Sequence, residues 1–290
     1  MAKLILIVDT GVDDALAIMT LVKNGIKPDF IIAASGNSDL DNTLNNTIEV
    51  TKILEENIPV YYGAYRPLIR EPYYEDYHGQ NGLANYTYEM HEFNKINGII
   101  ELYNTLKDEE VDIIITCPLT TLALLFSLEK NIIKNIRRII VMGGAFALNE
   151  YGTGNVGDAE FNIFYDPEAA NMVFNSGIKI YTIPLDVTMN PNFSIKDDDL
   201  NKMHVNSNES KFIYELVKYM VNRHGSFEMH DPIAALAYLN EKAFKYITGK
   251  ISVDRNGKTL LTRDEKGSCM VAYSLDKNIY QKNVKNLFFK

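Results

Sequence analysis

Apolar residues come along this chain in short runs separated by stretches with a helical pattern. "KLILIVD" (3–9), "FIIAASG" (30–36), "PVYYG" (59–63), "VDIIIT" (111–116), "RRIIVMGG" (137–144) and "KIYTIPLD" (179–186) read as buried strands. Helical patterns fill the intervals near 13–24, 42–56, 93–107, 119–129 and 166–176. This alternation predicts an α/β fold: an open, mainly parallel, doubly wound (Rossmann-like) sheet. Ligands of such sheets sit beyond the carboxyl ends of the strands. That rule singles out Asp9, Asn37, Thr116, residues 142–144 and Asp186.

The second half changes texture. Residues 190–245 read as mostly helical, with "SKFIYELVKYMVNRH" strongly periodic and "HDPIAALAYL" opening another helix. Residues 246–275 read as short strands turned by "DRNGK" and "DEKG". The expected fold is therefore the parallel sheet with an additional, mostly helical C-terminal part. Residues 64–92 are rich in Tyr, Pro, Gly and acid and have no period. A loop that long in a compact domain is usually functional or mobile, so it is the candidate lid. No repeat, low-complexity segment or linker divides residues 1–290, which are expected to form one domain.

Composition narrows the function classes. A net charge of −9 argues against a nucleic-acid footprint and against attraction to anionic membranes. No run approaches the ~18 apolar residues of a membrane span, and "MAKLILIVDT" is too short for a signal segment. Cys117 and Cys269 have no metal-type spacing, and a reducing, cytoplasmic compartment is expected.

Three constellations carry chemistry. "VDTGVDD" places Asp9, Asp13 and Asp14 within six positions where a strand meets a helix. Aspartates at a helix start cap orphan N–H groups, but one cap needs one carboxylate, and Asp9 belongs to the strand end. Three converging carboxylates suit a hard divalent cation with oxygen ligands. "MHDPIAAL" (229–236) sets His230, able to protonate a leaving group near neutral pH, beside Asp231. In "GNVGDAEFNIFYDPEAA", Asp166 and Pro167 form a helix start, while Asn155, Glu160 and Asn162 offer donors and acceptors suited to sugar hydroxyls.

Together these residues resemble the inosine–uridine-preferring nucleoside hydrolases, calcium-dependent enzymes that cleave the N-glycosidic bond of ribonucleosides. The family's D-x-D-P-G-x-D-D resembles "IVDTGVDD" (7–14), and "SGN" (35–37), "TCPLTTLA" (116–123) with "VMGG" (141–144), "GNVGDAEFNIFYDPEAA" and "HDPIAALAY" follow in order. Ile7 and Thr10 depart from the pattern, replacing the first aspartate and the proline. The resemblance implies the nucleoside hydrolase fold, a homodimer or homotetramer, and Ca²⁺ held by Asp9, Asp14, the Thr116 carbonyl and Asp231. It also makes Asp9 the base that activates water. Asp13, Asn37, Asn155, Glu160 and Asn162 would grip the ribose, with Met142 lining its pocket. His230 would stand near the leaving base, with His78 on the lid above it.

Base preference is expected to lie in the lid and in the helical segment before His230. Tyr65, Tyr73, Tyr74 and Tyr77 are candidates for stacking on a base. Glu71, Glu75, Asp76 and Glu228 make the base side acidic, which raises a cationic modified nucleoside such as queuosine, in queuine salvage, as an alternative substrate to plain nucleosides. A non-catalytic nucleoside-binding protein would keep the ribose contacts but would not need Asp9, Asp14 and Asp231 together. An aspartyl-phosphate phosphotransferase would want Asp where Gly11 stands.

Overall fold

In the computed structural model, which describes residues 2–92 and 96–289, strands β1 (Lys3–Val8), β2 (Phe30–Ala33), β3 (Val60–Tyr62), β4 (Val111–Ile115), β5 (Ile136–Met142) and β6 (Ile180–Ile183) pair in parallel in the order 3-2-1-4-5-6. That is the doubly wound order, and its reversal point lies between β1 and β4. The apolar runs explain the sheet's burial on both sides. Leu4, Leu6 and Val8 point into one core and Ile5 and Ile7 into the other, as a period of two requires.

Helices cover both faces. α1 (Val12–Lys23) and α2 (Leu40–Ile53) lie on the first face; α3 (Gly98–Asp108), α4 (Thr120–Leu128) and, after the short α5 (Phe161–Tyr165), α6 (Pro167–Phe174) lie on the second. The expected opening of the third helix at 93–95 lies outside the described residues. After α7 (Leu185–Thr188), β7 (Ser194–Ile195) and α8 (Asp197–Leu200), the long α9 (Asn208–His224) packs on the first face. Ser207 caps its start, and Gly225 at φ 82° ends it in the left-handed conformation that glycine tolerates. β8 (Phe227–Glu228) pairs with β7 and leads into α10 (His230–Leu239), which packs along α1.

The last strands do more than decorate the domain. β9 (Phe244–Val253), β10 (Thr259–Arg263) and β11 (Cys269–Leu275) form an antiparallel ribbon, and β11 joins β6 in parallel. One nine-stranded sheet results. A helical tail from Lys277 to Phe288, unanticipated in the sequence pattern, buries Tyr280, whose hydroxyl donates to the Phe193 carbonyl at 2.6 Å. Among the described residues no helix is long and apolar enough to cross a membrane.

Candidate active site

The sheet's reversal point sets the site. Asp9 follows β1 and Thr116 follows β4, so the two neighbouring strands whose connections diverge deliver them side by side. α1 starts three residues after Asp9, and its cap position is Gly11, which has no side chain to offer. Asp14 reaches back instead, accepting the Gly11 N–H on Oδ2 at 2.9 Å. Its Oδ1 accepts from Thr116 Oγ1 at 2.6 Å, and Asn37 Nδ2 donates to Oδ2 at 3.2 Å. Capping and site-building are thus done by the same carboxylate.

Asp13, Asp14 and Asp231 each turn a carboxylate oxygen into a group within 4.8 Å, and all three side chains are buried. Asp9 stands beside this triple, not within it. Its Oδ2 accepts the Asn37 N–H at 2.7 Å, in the turn after β2. Among the described residues, Asp9 Oδ1 and Asp13 Oδ1 are buried without hydrogen-bond partners. Burial, aided by mutual repulsion, drives Asp9 and Asp231 far above the usual carboxylate range and Asp14 up to about 7. Buried acceptor oxygens with nothing to accept are costly unless a cation or protons meet them. The donor set, all hard oxygen, therefore fits a divalent cation. The Thr116 carbonyl accepts from Asn162 Nδ2 at 3.0 Å and keeps a second lone pair.

Above these residues opens a cavity of about 210 Å³. Asp13, Thr116 and Asp231 line its floor with Asn37, Met142, Glu160 and Asn162, while Asp9 and Asp14 lie fully buried beneath. Asn162 Nδ2 also donates to the Met142 carbonyl at 3.3 Å. Glu160 caps α5, accepting the N–H groups of Asn162, Ile163 and Gly144, yet burial pushes its carboxyl up to about 7. Asn155 lines the cavity from an exposed turn.

The opposite wall comes from the lid and the α9–α10 connection. His78 is buried, with Nε2 3.5 Å from Asp13 Oδ1, and burial lowers its pKa to about 3, so it is neutral. The Val12 N–H donates to its Nδ1 at 3.4 Å, placing the ring proton on Nε2. His230 Nδ1 meets Thr188 Oγ1 at 2.7 Å, and burial lowers its pKa against the pull of Asp13 and Glu228. Of the lid tyrosines only Tyr77 lines the cavity. Tyr65 is 65% exposed, Tyr73 packs edge-on against Phe164, and Tyr74 bonds Ser35 at 3.1 Å. Asp76 pairs with Arg223 rather than facing the site, and Asp186 accepts the Phe146 and Leu148 N–H groups to hold a loop. Phe161 and Met189 also line the cavity and were invisible in the sequence as site residues, because nothing in their residue type distinguishes them from core.

Fold and site together define an α/β protein with a carboxylate-floored cavity at the sheet's reversal point. A family model described as inosine-uridine preferring nucleoside hydrolase matches residues 4–282, and the chain belongs to that family. It is 38% identical over 193 residues to the pyrimidine-specific ribonucleoside hydrolase RihB of Escherichia coli, an alignment taking in 64% of this chain. The chain spans about 60% of the length of the curated relatives it matches. A plant nucleoside hydrolase superposes with a TM-score of 0.89 at 25% identity, covering 99% of both chains. The purine-preferring ribonucleoside hydrolase from Gardnerella vaginalis gives 0.86 at 23% identity and 98% coverage of both, sharing the fold.

Proposed function

We propose that this chain hydrolyses the N-glycosidic bond of a ribonucleoside, releasing the base and ribose for salvage. The observation that carries this reading is the convergence of Asp13, Asp14 and Asp231, with Asp13 and Asp231 lining the cavity floor and Asp14 and Asp9 buried beneath it. We assign a calcium ion to Asp14, Asp231, the Thr116 carbonyl and Asp9, whose Oδ1 lacks a partner. When bound, such an ion orients a water and lowers its pKa.

Asp9 is the group that takes a proton from the attacking water. Asp13, Asn37, Asn155, Glu160 and Asn162 hold the ribose hydroxyls and face the positive charge that grows on the sugar as the bond breaks. A 2′-deoxy sugar leaves such partners unpaired, so ribonucleosides are preferred. When Thr188 donates to His230 Nδ1, the ring proton sits on Nε2 and supports the departing base. His78 and Tyr77 close the lid side and exclude water.

The substrates named for the family and for RihB are plain purine or pyrimidine nucleosides, and nothing in the comparisons points to queuosine. A reducing-sugar assay over a nucleoside panel, with and without chelator, tests the reading. Ribose release that disappears with chelator and returns with Ca²⁺ is expected; release indifferent to chelator, or absent across the panel, overturns it. Asp9→Ala should lower kcat by about 10²–10⁴-fold while nucleoside binding persists. Undiminished turnover would remove Asp9 from the mechanism.

A further inference from the structure

The lid side of the cavity is acidic and offers acceptors. Glu228, half-buried in β8, lines it beside Tyr77 and His230. Ser226 Oγ donates to Glu228 Oε1 at 2.7 Å, and Tyr77 Oη approaches Oε2 at 3.5 Å. A carboxylate has about four lone-pair positions, so roughly half remain for a ligand. Glu75, with one oxygen taken by Tyr73, lines the same wall. Among the described residues no Lys or Arg lines the cavity, and the nearby Arg223 is paired with Asp76. A ligand entering here meets carboxylate oxygens that no cation neutralises.

We propose that Glu228 selects the nucleobase, and that the site favours a base presenting two N–H donors side by side, the amidine edge of guanine. This rests on the reading that the cavity binds a nucleoside. Two parallel N–H groups can engage both carboxylate oxygens, the geometry that makes such pairs strong. Hypoxanthine in the same pose offers N1–H beside a C2–H that donates no hydrogen bond, leaving one carboxylate oxygen unpaired. Uracil offers one N–H flanked by carbonyls, one of which would face the carboxylate and be repelled. The family description names inosine and uridine, neither of which presents two such donors. In this chain the guanosine preference rests on Glu228 and the acidic wall around it.

Guanosine and inosine, which differ only in the 2-amino group, provide the test. Hydrolysis and calorimetric binding of both are measured for the wild type and Glu228→Gln. The wild type should favour guanosine in affinity and in kcat/KM by on the order of tenfold or more. Glutamine supplies one donor and one acceptor, so Glu228→Gln should bring the ratio close to one or reverse it. Each ratio compares two ligands on one protein, so a loss of folded material cancels. A ratio near one in the wild type, or a ratio unchanged in Glu228→Gln, overturns the assignment. Selective guanosine binding without ribose release would defeat the hydrolase reading and leave the base selection standing; binding of neither nucleoside would defeat both.

Discussion

A Cβ on Gly36 would lie 2.0 Å from Asp9 Oδ2 and 2.7 Å from Cδ of Pro118, where ordinary contact begins at 3.4 Å. Gly36 also precedes Asn37, whose N–H holds that same carboxylate oxygen. The absent side chain is therefore what lets Asp9 sit at the turn after β2. Gly36→Ala should displace Asp9, lowering kcat about 10²-fold or more and costing about 1–3 kcal/mol of stability as an overpacked site. Steady-state kinetics beside a denaturation curve checks both; a folded Gly36→Ala protein with normal kcat would show that Asp9's position is not what turnover depends on.

At the scale of elements, the lid is anchored near its start by a buried carboxylate and midway by the end of α9. Asp166, fully buried, caps α6 through the Ala169 N–H at 3.0 Å, accepts Thr120 Oγ1 of α4 at 2.7 Å and accepts the Leu68 N–H of the lid at 2.8 Å. Midway along the lid Arg223 pairs with Asp76, and His224 stacks on Tyr77 at 4.1 Å. Removing the Asp166 carboxylate orphans three donors from three elements. Asp166→Ala should cost about 2–4 kcal/mol, read as a lower urea midpoint, and raise protease cleavage within 64–72. A loss near zero would mean that water replaces the carboxylate.

For the whole molecule, a floor of buried carboxylates makes stability depend on metal and pH together. Raised carboxyl pKa values mean that the metal-free native state binds more protons than the unfolded chain, so its stability falls as pH rises through the native values, about 7 for Asp14. His78 acts in the opposite sense, but only below about its unfolded value of 6.5. Between about pH 7 and 8 the carboxylates dominate. With chelator, Tm should therefore drop across that window; with Ca²⁺ it should rise or hold, because the ion binds the deprotonated form. Calorimetry in buffers of different ionisation enthalpy should also record proton release on binding. A metal-free Tm that is flat from pH 7 to 8, with no proton release, would contradict the titration of this cluster.

The strands, the helices between them and the order of the site motifs were legible in the sequence because each is written locally. Buried parallel strands are continuous apolar runs, and Asp166 marks a helix start through a side chain that caps its own turn. That Asp9 and Thr116 meet was readable only through the rule for doubly wound sheets. Contacts across the chain decided the rest. The ribbon β9–β11 joins the main sheet because β6 offers it an open edge, which no local pattern encodes. Tyr77 faces the cavity while Tyr65, Tyr73 and Tyr74 do not, because a lid without period places each side chain by whatever it meets in space. Local sequence determined the strand-end carboxylates; tertiary packing decided that Asp13 joins Asp14 and Asp231 while Asn37 holds Asp9 beneath them, since those distances depend on where β2 and α10 bring residues far apart in the chain.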